Sequence, residues 1–243
     1  MNLPEPVQPW EIICDADDTI IITTVRYHPA MWECGRIMTK ALGPYSPHPT
    51  RIMNRHHEID VAMVDSHGFH PERFGMSWVR TYREFASALH LPASTSVERR
   101  LLTAARTYLH GPHRTYPRVK RTLRELRQLG HLHLVTVGDP DLQRRKVAET
   151  GLARYFTTMA FVERHKDEAI AKAAHGSSRA VMVGDSKRSD ILPAIKLGIV
   201  PVLIDRHTWD YAEVPLPEGS YYTIKHFEEL PALLHRLDHP EHS

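Results

Sequence analysis

Cysteine is scarce in this chain: Cys14 and Cys34 are the only two among 243 residues. One falls inside an apolar run and the other in a helical pattern, so neither a disulfide framework nor a cysteine zinc site is expected. No stretch approaches the roughly 18 consecutive apolar residues that a membrane-spanning helix needs. The opening Met1-Asn2-Leu3-Pro4-Glu5-Pro6 lacks the charged and apolar regions of a secretory leader. A strong charge bias is missing too, since a formal net charge of +2 is too mild to imply a nucleic-acid partner. Internal repeats and low-complexity tracts are lacking. The expectation is a soluble cytoplasmic protein with no membrane or nucleic-acid partner, its oligomeric state left open.

What is present is an ordinary globular composition, 42% apolar and 25% charged. The length suits one large domain, or a core domain carrying a smaller one. The unusual stretch is Ile12-Ile13-Cys14-Asp15-Ala16-Asp17-Asp18-Thr19-Ile20. Its β-branched apolar start reads as a strand, and it stops at three carboxylates within four positions. Two carboxylates about 4 Å apart repel by roughly 4 kcal/mol at an effective dielectric near 20. At a buried strand end such a cluster requires protons, a cationic side chain or a metal. Taken alone, the stretch reads equally well as a solvated acidic turn with Asp18 capping a helix.

Residues 1–10 hold three prolines and read as an extended lead-in to a strand at about 11–15. From about 22 to 113 the pattern is helical, with Trp32, Ile37, Met38 and Leu42 in one stripe and Trp78, Tyr82, Phe85 and Leu89 in another. Breakers such as Gly43-Pro44, Ser46-Pro47, His48-Pro49 and Leu91-Pro92 divide it. This helical module carries eleven Arg and Lys against seven Asp and Glu, so it is +4 and the remainder −2. A modestly basic module beside an acidic core suits a small anionic ligand, although most single arginines read as solvated surface.

From about 116 strands and helices alternate. Pro117 suits a helix first turn, with Val119, Leu123, Leu126 and Leu129 as its stripe and Gly130 closing it. A strand at 131–137 leads to Gly138-Asp139-Pro140 and a helix, containing Leu142 and Val147, that ends near Gly151. A short strand at about 157–162 precedes Lys166, and a helix from about Asp167 ends before Gly176. Ala180-Val181-Met182-Val183 is a buried strand stopping at Gly184-Asp185. A helix with Ile191, Leu192, Ile195 and Leu197 ends at Gly198, then come a strand at 200–204, a weak strand at 221–224 and a helix at 226–237. Such alternation predicts a mostly parallel sheet covered on both faces, with ligands at the carboxyl ends of its strands.

The polar residues at those ends are Asp15, Asp17 and Thr19, then Thr136, then Lys166, then Asp185 and Asp190. In that order the chain resembles the haloacid dehalogenase-like (HAD) hydrolase superfamily. Asp15-Ala16-Asp17-Asp18-Thr19 matches its first motif, Val135-Thr136 the second, Lys166 the third, and Gly184-Asp185-Ser186-Lys187-Arg188-Ser189-Asp190 the fourth. The resemblance implies an α/β fold: a Rossmann-like core over 1–21 and 114–243, with an inserted α-helical cap over 22–113. It departs from the family at Asp18, where Gly is frequent, and at Asp167, where Pro often follows the lysine. Lys172 offers a competing register for that lysine.

The resemblance further implies a Mg2+-dependent phosphatase acting on a small phosphorylated metabolite. Asp15 would be the nucleophile that forms an aspartyl-phosphate. Asp17 would be the acid and base, with a pKa raised by the neighbouring carboxylates. Thr136 would bind a phosphoryl oxygen and Lys166 would neutralise charge. Asp15, the backbone carbonyl of Asp17, and Asp185 would hold the metal. Thr19 and Asp190 would support these groups from behind, Asp190 by orienting Lys166 or a metal-bound water.

The 18 histidines include His56-His57 and the pair His131 and His133, but no spacing matches a zinc motif, so they are expected to be structural. From the cap, His56, His57, Phe69 and Arg73 could reach substrate, since they flank breaks between helices. A phosphomutase or a haloacid dehalogenase on the same scaffold is the alternative chemistry. A metal-independent dehalogenase would have no use for Asp17 as acid and base. A phospho-accepting receiver module is the alternative of another class, and the chain order of the acidic residues argues against it.

Overall fold

The apolar positions at helical spacing between residues 22 and 113 fold into four α-helices in a computed structural model that describes residues 8–206 and 214–239. They are α1 (Tyr27–Leu42), α2 (Pro49–His67), α3 (Arg73–Ala88) and α4 (Thr95–Ala105). The first seven residues of the expected lead-in lie outside the described residues. The chain divides into two compact units, one of residues 23–112 and one of residues 1–22 with 113–243.

In the helical unit, Ile37, Met38, Ile52, Trp78, Tyr82 and Leu101 build one core. Trp32 lies on α1 but outside the buried stripe, 70% exposed. At 100° per residue it falls about 200° round the helix from Ala30, opposite the face that Ala30, Cys34, Ile37 and Met38 bury. Five of the unit's arginines pair with acids of the same unit: Arg36 with Glu33, Arg55 with Glu58 and Glu84, Arg73 with Asp60, Arg83 with Glu98, and Arg106 with Glu72.

Among the described residues, the other unit is built on a six-stranded parallel sheet. Its strands are β1 (Trp10–Cys14), β2 (Gly130–Val137), β3 (Thr158–Val162), β4 (Ala180–Gly184), β5 (Val200–Ile204) and β6 (Tyr222–Ile224). Their order is β3-β2-β1-β4-β5-β6. β4 and β5 read as unbroken apolar runs because both faces are covered. On one face Ile12, Leu132, Leu134, Val181 and Val183 pack beneath α5 (Val119–Leu126), α6 (Pro140–Thr150) and α9 (Leu230–Asp238). On the other, Ile13, Val135 and Met182 meet α7 (Asp167–Ala174) and α8 (Leu192–Leu197).

Two expectations near residue 117 are corrected. Pro117 lies in a turn before α5, because Arg118 takes a left-handed φ of 62° and helical geometry starts only at Val119. Gly130 belongs to β2 and does not close a helix; a Cβ there would lie 1.9 Å from the carbonyl oxygen of Trp10. Only glycine lets these two backbones pair so closely.

The chain leaves and re-enters this unit through neighbouring positions. Ile21 bridges Thr115 in antiparallel fashion, Ile22 N–H donates to Arg114 O at 2.9 Å, and Tyr116 N–H donates to Ile20 O at 3.1 Å. Among the described residues no helix is long and apolar enough to cross a membrane.

Candidate active site

The strand order reverses between β1 and β4, and a doubly wound sheet opens a ligand crevice at the carboxyl end of such a reversal. Asp15 leaves β1 at that point, its N–H still bonded to Val183 O at 3.0 Å and its side chain buried. Lys166, the residue before α7, is also buried and donates from Nζ to Asp15 Oδ1 and, at 2.7 Å, to Asp190 Oδ1. Thr19 Oγ1 donates to Asp15 Oδ2 at 3.2 Å. Lys172, the competing lysine, is exposed on α7.

Asp190 reaches Lys166 because the segment Lys187–Ile191 is a single π turn, in which Ile191 N–H bonds Ser186 O five residues back. One-turn π segments often mark functional sites. The second oxygen of Asp190 accepts from Ser186 N–H at 3.1 Å. Gly184 makes room for it: a Cβ there would stand 2.1 Å from Asp190 Oδ2.

Burial pushes the Asp15 carboxyl up against the pull of Lys166, and the carboxylates of Asp190 and Asp17 push in the same direction as burial. Burial alone would push the Lys166 ammonium down; Asp15 and Asp190 outweigh it, so the lysine is held above its usual range and stays charged.

Asp17 is half-buried and points to a group that the sequence reading missed. Lys146 Nζ lies 2.8 Å from each carboxylate oxygen of Asp17. Gln143 Nε2 is 2.8 Å from Asp17 Oδ2, 2.8 Å from Val137 O and 3.1 Å from Thr136 Oγ1. Gln143 and Lys146 are three residues apart on α6, the spacing of one helix face. The ammonium acts on Asp17 in the sense opposite to the neighbouring carboxylates. Thr136 itself is fully buried at the end of β2.

Asp18 is neither solvated nor a helix cap. It is buried, has φ of 51°, and accepts from Tyr116 Oη at 3.1 Å. Glycine adopts this left-handed backbone freely and aspartate tolerates it, which gives a physical reason for the exchange at this position. Arg206 covers the Tyr116 ring at 3.6 Å and donates to Thr19 O at 3.3 Å, bracing the same loop.

Asp185 follows β4 and is half-buried. Asp15, Asp185 and Asp190 each bring a carboxylate oxygen within 4.8 Å of the others. An all-oxygen, anionic donor set of this kind fits a hard divalent cation such as Mg2+.

The four residues of the helical unit expected to reach substrate do not share one environment. His56 is buried in the helical unit, stacked on Trp78 at 3.9 Å with Nε2 2.9 Å from Ser77 Oγ. Arg73 is buried there too, ion-paired with Asp60 at 2.5 Å and donating to its carbonyl at 2.9 Å. These contacts of His56 Nε2 and Arg73 Nη1 thus lie inside the unit. His57 is exposed on α2, and Phe69 is half-buried in the turn that follows.

Sequence comparison agrees with this geometry. The profile of the haloacid dehalogenase-like hydrolases matches residues 12–198. A mouse protein, N-acylneuraminate-9-phosphatase, is 30% identical over 132 residues, which are 49% of this chain and 52% of that one. The match thus spans about half of the curated relative. A haloacid dehalogenase-like family hydrolase from Xanthomonas campestris superposes with a TM-score of 0.74 at 21% identity, covering 93% of this chain and 91% of its own. A predicted phosphoglycolate phosphatase from Haemophilus somnus gives 0.59 at 16% identity, covering 94% and 99%. L-2-haloacid dehalogenases share the fold as well. With the profile running from β1 past the π turn, through every strand-end residue described above, the chain belongs to the haloacid dehalogenase-like hydrolases.

Proposed function

We propose that this hydrolase cleaves phosphate monoesters of small metabolites through an aspartyl-phosphate on Asp15. The observation that carries the reading is the buried Asp15–Lys166–Asp190 chain with Asp17 two residues beyond the nucleophile. Likeness to a phosphatase over 132 residues supports phosphate as the transferred group.

A carboxylate oxygen of Asp15 attacks phosphorus, and the bond from phosphorus to the leaving oxygen breaks. Asp17 gives its proton to that oxygen. In the second half Asp17 takes a proton from water, which attacks phosphorus, and inorganic phosphate leaves Asp15 regenerated. Lys146 stabilises the base form of Asp17; the approach of a dianionic phosphate favours its acid form. Lys166 neutralises charge on Asp15 and on the transferring group, and the Thr136 hydroxyl is assigned to a phosphoryl oxygen. Asp15, Asp185 and the carbonyl of Asp17 are assigned as the ligands of Mg2+, which when bound would offset the mutual repulsion of nucleophile and substrate. The helical unit, inserted directly after the loop that carries Asp15 and Asp17, is the cap in this reading.

A dehalogenase needs no acid at position 17, yet here Asp17 is held by Lys146 and Gln143, which favours phosphoryl transfer. The test is phosphate release from a panel of small phosphomonoesters with Mg2+ and then with EDTA, beside halide release from 2-haloacids. Metal-dependent phosphate release concentrated on one class of ester is expected. Halide release without phosphate release would overturn the proposal.

A further inference from the structure

The histidines at 131 and 133 have partners that no spacing in the sequence could show. The parallel register of β1 and β2 sets Glu11 beside His131 and Ile13 beside His133. With the two-residue alternation of a strand, Glu11, His131 and His133 share the face of Ile13 and Val135, the face that α7 covers. α7 ends at Ala174, and His175 caps it in a left-handed conformation, φ 50° and ψ 22°, which brings its ring to 5.7 Å from that of His133.

We propose that Glu11, His133 and His175, with His131 at its edge, form a second metal site, on the rim of the sheet opposite Asp15, for a borderline transition-metal dication of the Zn2+ class. One donor atom from each of Glu11, His133 and His175 lies within 4.8 Å of the others. His133 Nε2 is 2.7 Å from Glu11 Oε2, and His131 Nδ1 is 3.1 Å from Glu11 Oε1. The second nitrogen of His133, Nδ1, is fixed by Thr158 Oγ1 at 2.7 Å, so its ring is held from behind as metal-ligating imidazoles are. His133 is almost wholly buried and His175 is exposed, so the cluster has an anchored floor and an open side for entry.

Donor chemistry separates this cluster from the acidic one. Imidazoles with a single carboxylate suit Zn2+, Ni2+ or Co2+, whereas three carboxylates suit Mg2+. Along β1 the two sites are four residues apart, about 13 Å at the rise of a strand. A simple structural role for Glu11 would be met by His133 alone; two further imidazoles, one from another strand position and one from a helix end, are what a metal site adds.

The test uses the full chain, stripped of metal and then saturated with Mg2+, titrated with Co2+ and followed by the visible bands of nitrogen-ligated cobalt. One equivalent is expected to bind with low-coordinate bands. His175→Ala is expected to weaken that binding about 100-fold or more, since even removal of a residue behind a ligand weakens binding about 10- to 100-fold. His131→Ala should cost less, and His110→Ala, at an exposed histidine of the other unit, should change nothing. Both cluster substitutions change exposed side chains and leave the buried His133 intact. Failure of the parent chain to bind Co2+ under these conditions, or equal binding by His175→Ala, would overturn the proposal.

Discussion

The ammonium group of Lys146 lies 2.8 Å from both carboxylate oxygens of Asp17. In the proposed mechanism, the group that exchanges protons with the leaving oxygen and water is thereby held in one position by a cation. If general acid and base catalysis contributes its usual 100- to 10,000-fold, roughly, then loosening Asp17 should forfeit part of it. Lys146→Met is expected to lower kcat for phosphate release about 10- to 100-fold with a smaller change in KM, and Lys146→Arg to recover part of the loss. Unchanged kcat in Lys146→Met would remove Lys146 from the machinery.

Asp15→Asn keeps the size of the side chain and removes the proposed nucleophile. Turnover should fall by at least about 10,000-fold, as when other enzymes lose theirs. Circular dichroism should show the fold retained. EDTA on the parent chain should abolish turnover, with Mg2+ restoring it. Parent-like rates in Asp15→Asn would place the covalent step elsewhere.

Gly184 is tested by adding one methyl group. Gly184→Ala puts a carbon 2.1 Å from Asp190 Oδ2, so Asp190 must move away from Lys166. Overpacking of this kind costs about 1–3 kcal/mol, and kcat should drop with it. Combining it with Asp190→Gly should recover stability relative to Gly184→Ala, because the clashing oxygen and the Asp190 Cβ, which would stand 2.7 Å away, are both gone. Strict additivity of the two stability changes would contradict this account.

His56 makes the helical unit sensitive to acid. Burial pushes its pKa down to about 4, from an ordinary 6.5. Between these values the unfolded chain binds more protons than the folded one. The stabilisation is therefore complete above pH 6.5 and is lost as pH falls towards 4. At about 1.4 kcal/mol per pH unit the full effect reaches about 3 kcal/mol. Ser77 Oγ donates to Phe74 O at 2.8 Å, so His56 Nε2 carries the proton shared with Ser77. His56→Phe keeps the stacking on Trp78 and should flatten the fall in stability between pH 7 and 4.5, measured by denaturant unfolding. An equal fall in both proteins would sink the idea.

The six strands of the described residues were legible in the sequence to within a residue or so, from apolar runs that are unbroken in β4 and β5, which are covered on both faces, and shorter or interrupted in the others, β3 and β6 being partly exposed. The strand-end positions of Asp15, Thr136 and Asp185 follow from the same runs. Lys146 was hidden for a definite reason. It is the last of three consecutive cations, Arg144-Arg145-Lys146, and the first two are 59% and 47% exposed at the side chain while Lys146 is 7% exposed. Which member of such a run turns inward depends on the helix phase to within about 100°, finer than a boundary read from sequence. Glu11 and His175 escaped notice because their neighbours come from strand register and a helix end.

The antiparallel bridge between Ile21 and Thr115 closes the chain around an insertion of about 90 residues. With its two ends pinned, the insertion enters the folding of the sheet as a single loop, and loop entropy grows only with the logarithm of length. Compared with a connection of about 10 residues, three doublings of length cost the sheet about 2 kcal/mol. The helical unit is, in that sense, a parenthesis: a chain of this design can exchange what lies between Ile22 and Arg114 while the grammar of strands around it stays the same.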